Sequence, residues 1–201
     1  MIARYRETAA KPYNFEEDPK NVVFWYGCVR SALEAEELKI TIPAKPTLKA
    51  LRTAAISMAL YFQRSVEENG LRDVLFPGGM YRDEKVVQAV FFAMVKTHSE
   101  QNGLAISLGF NKSLGTIELS AERSNYRVLV KLKASTSMKL VEYFDELLEA
   151  NRRSRGCGQS LFVVFQIRKT FGNVGRLKER YDATPSSGFK PELIIINAYG
   201  G

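Results

Sequence analysis

The sequence predicts an α+β fold: a helical N-terminal half followed by a mostly antiparallel sheet with one packed helix. Two observations predict it. Apolar residues recur every three or four positions up to about residue 100 and alternate every second position after it. Charge changes at the same boundary, because residues 103–201 carry fifteen basic and nine acidic side chains while residues 1–102 are nearly balanced.

Residues 1–20 are polar, contain Pro12 and Pro19, and read as an N-terminal arm. Asn21 to Leu38 reads as a first helix on the spacing of Val22, Trp25, Val29 and Leu33. Pro43 and Pro46 keep 39–46 extended. Thr47 is placed to cap a second helix that runs to about Asn69 with Leu48, Leu51, Ala55, Met58, Phe62 and Val66 as its stripe, and Gly70 stops it. Leu71–Phe76 is short, and Pro77-Gly78-Gly79 is a turn. Asp83 opens a third helix to about Glu100.

Strands are expected over 104–108, 116–121 and 126–133. In the last of these Tyr126, Val128, Val130 and Leu132 share one face, while Arg127, Leu129, Lys131 and Lys133 share the other, taken as outward. A helix over 137–151 packs Leu140, Phe144, Leu147 and Leu148. The nearly unbroken apolar run 159–167 is expected at the centre of the sheet. Residues 168–191 read as a basic loop, and Glu192–Ala198 closes the chain as a strand holding Ile194, Ile195 and Ile196. The organisation is thus an arm (1–20), a helical subdomain (21–102) and a basic α+β subdomain (103–201), with one continuous domain as the alternative.

Composition narrows the function. Hydrophobic residues make up 45% of the chain, enough for a core, and no apolar run approaches the roughly 20 residues that span a bilayer. With no signal-like apolar stretch at the N-terminus, the expectation is an intracellular, reducing compartment and no membrane partner. His98 is the one histidine, and Cys28 and Cys157 are the only cysteines, so nucleophile–histidine hydrolases and Cys/His zinc sites lack their parts. Neither a P-loop nor a GxGxxG fingerprint is present. The carboxylate clusters Glu34/Glu36/Glu37, Glu67/Glu68 and Asp83/Glu84 read as solvated helix surface. A Mg²⁺-dependent nuclease would need separated acids converging beside a lysine. No catalytic residue, metal or cofactor is assigned, and the chain is read as non-enzymatic.

The positive signal is charge. Arg152 to Arg180 holds eight basic residues and one acid, so this segment accounts for the +7 net charge of the whole chain. Confined positive charge is what an anion-binding face looks like, with nucleic acid the commonest large anion. The candidate contacts are Arg152, Arg153 and Arg155 after one helix, and Arg168, Lys169, Arg176, Lys178 and Arg180 after the next strand. Arg127, Lys131 and Lys133 would bridge these clusters, which the strand between them sets about 30 Å apart. Phe171 and Tyr181 in the basic loop are the candidates for base stacking. Gly172-Asn173-Val174-Gly175 reads as a turn. Phosphate contact without a base-reading motif predicts single-strand binding with little sequence specificity. The alternative is a self-assembling subunit of a capsid, nucleocapsid or filament, in a virion for instance. Three successive isoleucines in a half-exposed edge strand would invite pairing with another chain, so both faces of this strand are expected to be buried, within the sheet or against a neighbouring subunit, and under either reading a homo-oligomer is expected.

Overall fold

The structure is a computed structural model that describes residues 47–76, 84–101, 104–109, 116–121, 125–168 and 172–199. The expected arm, the helix over 21–38 and the 77–79 turn lie outside these residues. All the described residues belong to one compact unit.

Helix α1 (Leu48–Glu67) begins where Thr47 caps it, its hydroxyl accepting the Ala50 N–H at 3.1 Å. Gly70, at φ 76°, leads into the short helix α2 (Leu71–Leu75). Helix α3 (Glu84–Gln101) precedes strands β1 (Leu104–Gly109), β2 (Thr116–Ala121) and β3 (Arg127–Ala134). Helix α4 (Leu140–Arg153), strand β4 (Gly158–Gln166), helix α5 (Gly172–Ala183) and strand β5 (Glu192–Asn197) complete the described chain.

The five strands lie in the order β1-β2-β3-β4-β5. The β1–β2 and β2–β3 pairs are antiparallel, as expected. The β3–β4 and β4–β5 pairs are parallel, so β3, β4 and β5 form a three-stranded parallel half and the expected mostly antiparallel sheet is wrong. The reason is the pair of crossover helices. Parallel neighbours need a long connection, commonly a helix, and α4 and α5 supply two in succession. The second was missed: 168–191 was expected to be loop, yet 172–183 is helical. Gly172 and Gly175 each weaken helix propensity by about 1 kcal/mol, which hid the Val174, Leu177, Tyr181 spacing that binds α5 to the sheet.

Right-handed crossovers that step the same way across a sheet put their helices on the same face. Accordingly Leu140, Phe144 and Leu147 of α4 and Val174 and Leu177 of α5 pack together on Phe162 and Val164 of β4, with Leu129, Leu193 and Ile195 at the margin. The opposite face carries Val128, Val130 and Leu132 of β3 and Leu161, Val163 and Phe165 of β4, all buried. Helices α1 and α3 cover it: Phe62 meets Phe165 and Phe91 edge-on, with ring centroids 5.7 and 5.1 Å away. Strand β4 is interior, as its apolar run predicts, and is the middle strand of the parallel half, whereas β3 is the middle of the five.

Among the described residues β5 is the edge of this sheet, yet its isoleucines are covered from both sides. Ile194 and Ile196 are buried on the α1 face, and Ile195 packs on the α5 face. The burial expected of this strand is therefore met inside its own domain. Among the described residues no helix is long and apolar enough to cross a membrane.

Candidate nucleic-acid interface

The basic residues do not form one continuous path. Lys131 and Lys133 leave β3 on the face that α4 covers, so they are not on an outward sheet face. Lys131 is 1% exposed and reaches Glu146 of α4 at 2.7 Å. Lys133 is 9% exposed and reaches Glu84 of α3 at 2.6 Å. Both ammonium groups lie over the Tyr143 ring, at 4.1 and 5.0 Å from its centroid. Burial pushes the Lys131 ammonium below the ordinary lysine range, and the Glu146 carboxylate opposes that shift. Strand alternation in the sequence places these lysines on a common face, but cannot say that a crossover helix will land on it.

The remaining residues sort by position. Arg180 is tied to Asp145 of α4 at 2.8 Å, and Arg176 donates to Asn173 within α5. Tyr181 is in α5 rather than in a loop; its ring meets Phe144 edge-on, Lys190 lies 3.8 Å from the ring centroid, and burial raises its hydroxyl above the ordinary tyrosine range. Its ring is thus occupied by protein contacts, which removes the expected free stacking surface. Gly172–Gly175 is the first turn of α5 and not a separate turn. Arg168 is exposed just past the C-terminal end of β4, and Lys178 is exposed on α5. Lys169 and Phe171 lie outside the described residues.

What the fold does gather is Arg127, Arg152, Arg153 and Arg155. The last two residues of α4 are Arg152 and Arg153, where cations complement the helix dipole by about 0.3–1 kcal/mol each. Their side chains are 59% and 78% exposed, and Glu149 pairs with both, at 3.8 and 3.1 Å. The chain then reverses through Ser154-Arg155-Gly156-Cys157, closed by the Cys157 N–H to the Ser154 carbonyl at 3.0 Å. Arg155 and Gly156 have φ of 52° and 85°, so both central positions are left-handed, the signature of a type I′ turn. Glycine adopts that conformation freely; arginine there costs about 1–2 kcal/mol. The turn brings β4 beside β3, and the Arg127 N–H donates to the Cys157 carbonyl at 3.0 Å.

Gly158 suits the close packing at this junction. A β-carbon there would stand 3.0 Å from that of Ser154 and 3.6 Å from the Arg127 side chain. The Ser154 hydroxyl lies 2.6 Å from the Asn151 carbonyl and 3.0 Å from the Gly158 carbonyl, tying the helix end to the strand start. The result is an open groove of ≈ 740 Å³ floored by Arg127 and Leu129 and walled by Glu146, Glu149 and Arg153.

A family model matches residues 51–169, which is more than half of the chain. The chain belongs to the family described as Domain of unknown function (DUF8371). The DUF8371 span runs from α1 through β4, so the groove, its arginines and both buried lysines lie within it, whereas α5 and β5 lie beyond it. No curated protein and no solved structure matches the chain.

Sequence reasoning missed the acids of this region. Glu84 reads as solvated helix surface and the sequence assigns no role to Glu146 or Glu149, yet each pairs with a basic residue from the candidate set. Glu142, Glu146, Glu149 and Arg153 recur at helical spacing on α4, a signal visible in the sequence once α4 is known to lie over β3. Among the described residues no group of three or more acidic, histidine or cysteine side chains converges to hold a metal.

Proposed function

We propose that the chain is a non-enzymatic protein that binds single-stranded nucleic acid through its phosphates, with little sequence specificity. The observation that carries this reading is the gathering of Arg127, Arg152, Arg153 and Arg155 at one turn, with Arg155 in a conformation that arginine does not favour. Strained backbone that a fold tolerates is concentrated where a side chain is needed in a set place. Arginine forks suit phosphate, and a set of them without a base-reading element gives affinity without sequence information. The groove has the volume of a small-ligand site rather than of a duplex-sized channel, which favours a single strand.

The competing reading is a self-assembling subunit whose basic segment meets an encapsidated genome or an acidic partner; the three isoleucines of the last strand are the sequence's motive for a homo-oligomer under either reading. Their burial between α1 and α5 removes that motive.

Charge reversal tests the proposal. Arg127→Glu combined with Arg153→Glu should weaken binding to a labelled single-stranded oligomer by at least about ten-fold, with the far-ultraviolet spectrum unchanged. Arg168→Glu combined with Lys178→Glu, outside the groove, should weaken it less. Equal losses from both pairs would mean diffuse attraction and no site.

A further inference from the structure

We infer that the groove selects ribose-containing strands, binding single-stranded RNA more tightly than single-stranded DNA; this rests on the nucleic-acid reading above. The groove is not uniformly basic. Glu146 and Glu149 stand in its wall, beside the arginines that would take phosphates. Each of these carboxylates holds a cation of the fold, and toward a phosphate in the groove both are repulsive.

Ionised carboxylates only accept hydrogen bonds. Phosphate and deoxyribose in a DNA strand offer only acceptors. The 2′-hydroxyl of ribose is a donor, and it occurs at every residue whatever the base. An acid that contacts a strand without reading its sequence therefore has one group to meet.

The two acids are placed for this. Glu146 holds Lys131 through Oε2, which leaves Oε1 without a hydrogen bond among the described residues, and the side chain is half exposed. Glu149 takes the Arg153 Nε–H on Oε1 at 3.1 Å, which fixes the carboxylate one helical turn from Glu146. Arg127 of β3 lines the same groove. A phosphate on Arg127 or Arg153 would put the adjoining sugar against this acidic wall.

Fluorescence anisotropy with the full chain and three labelled single strands of one sequence tests the inference: RNA, DNA and 2′-O-methyl RNA. RNA should bind about five-fold more tightly than either other strand, the worth of one or two hydrogen bonds. The methylated strand keeps the ribose oxygen and loses only the donor. Glu149→Gln, which removes repulsion, should tighten DNA binding and narrow the RNA-to-DNA ratio. Equal binding of RNA and DNA, or methylated RNA binding as well as RNA, or an unchanged ratio in Glu149→Gln, overturns ribose selection while leaving nucleic-acid binding intact. Binding of none of the three strands removes the underlying reading.

Discussion

Gln63 and Glu67 of α1 act on β5 as a neighbouring strand would: the Gln63 side chain donates to the Ile195 carbonyl at 3.1 Å, and Glu67 accepts the Asn197 N–H at 2.7 Å. The two side chains also bond each other, at 3.1 Å. The same device recurs on β3, beyond the last β2 pair among the described residues, Thr116 with Lys131. There Gln88 donates to the Leu132 carbonyl at 3.3 Å, Glu84 accepts the Ala134 N–H at 3.2 Å, and Gln88 bonds Glu84 at 3.1 Å. In each case a Gln/Glu pair four residues apart on a helix satisfies one carbonyl and one N–H two residues apart on a strand. Open strand edges template pairing with other chains, and these clamps occupy them.

Removing the β5 clamp should expose that edge. Gln63→Ala with Glu67→Ala is expected to raise the apparent mass in light scattering, increasingly with concentration, relative to the wild-type chain. An unchanged mass up to high concentration would show that α1 protects the edge by bulk and not through these two side chains.

Lys131 is a buried charge whose partner is half exposed, an arrangement in which desolvation offsets much of the attraction. Lys131→Met keeps the length and drops the charge, and should be neutral or stabilising by about 1–2 kcal/mol in denaturant unfolding. Because burial lowers the folded-state pKa, the unfolded chain binds more protons between that lowered value and the ordinary lysine value of 10.5. Wild-type stability should therefore rise relative to Lys131→Met as pH rises through this window. A difference that is flat with pH up to 10.5 would show that burial does not disfavour the charged form.

At the type I′ turn, stability and binding should part. Arg155→Asn suits the left-handed conformation better and should stabilise the fold by about 0.5–1 kcal/mol. On the proposed reading it also removes a phosphate contact, and it should weaken binding several-fold. Thermal unfolding and anisotropy on the same variant check both. If affinity is unchanged, the strain at Arg155 has no part in binding.

Much of the fold was legible in the sequence, because the information is local. Thr47, the Leu51–Val66 stripe and Gly70 bracket α1 as expected, and the run from Gln159 through Phe165 marks an interior strand. What was not legible depends on which elements meet. The alternation of β3 shows that Lys131 and Lys133 share a face with Leu129, but their burial follows from α4 crossing that face, which follows from β4 being parallel. Reading 168–191 as loop hid the second crossover and with it the parallel half of the sheet. The arginines of the turn were legible as charge. Their acidic counterparts Glu146 and Glu149 drew no reading, because nothing in their local sequence says what lies opposite.

Salt dependence of binding tests the central claim most directly. If Arg127, Arg152, Arg153 and Arg155 together neutralise about four phosphates of a single strand, log K should fall with log salt with a slope of about −2.8. The slope should drop toward about −1.4 when Arg127 and Arg153 are both reversed to Glu, as two of the four contacts are lost. No binding to single-stranded RNA or DNA at low salt, or a slope that the reversal leaves unchanged, would contradict the assignment of this groove as a nucleic-acid interface.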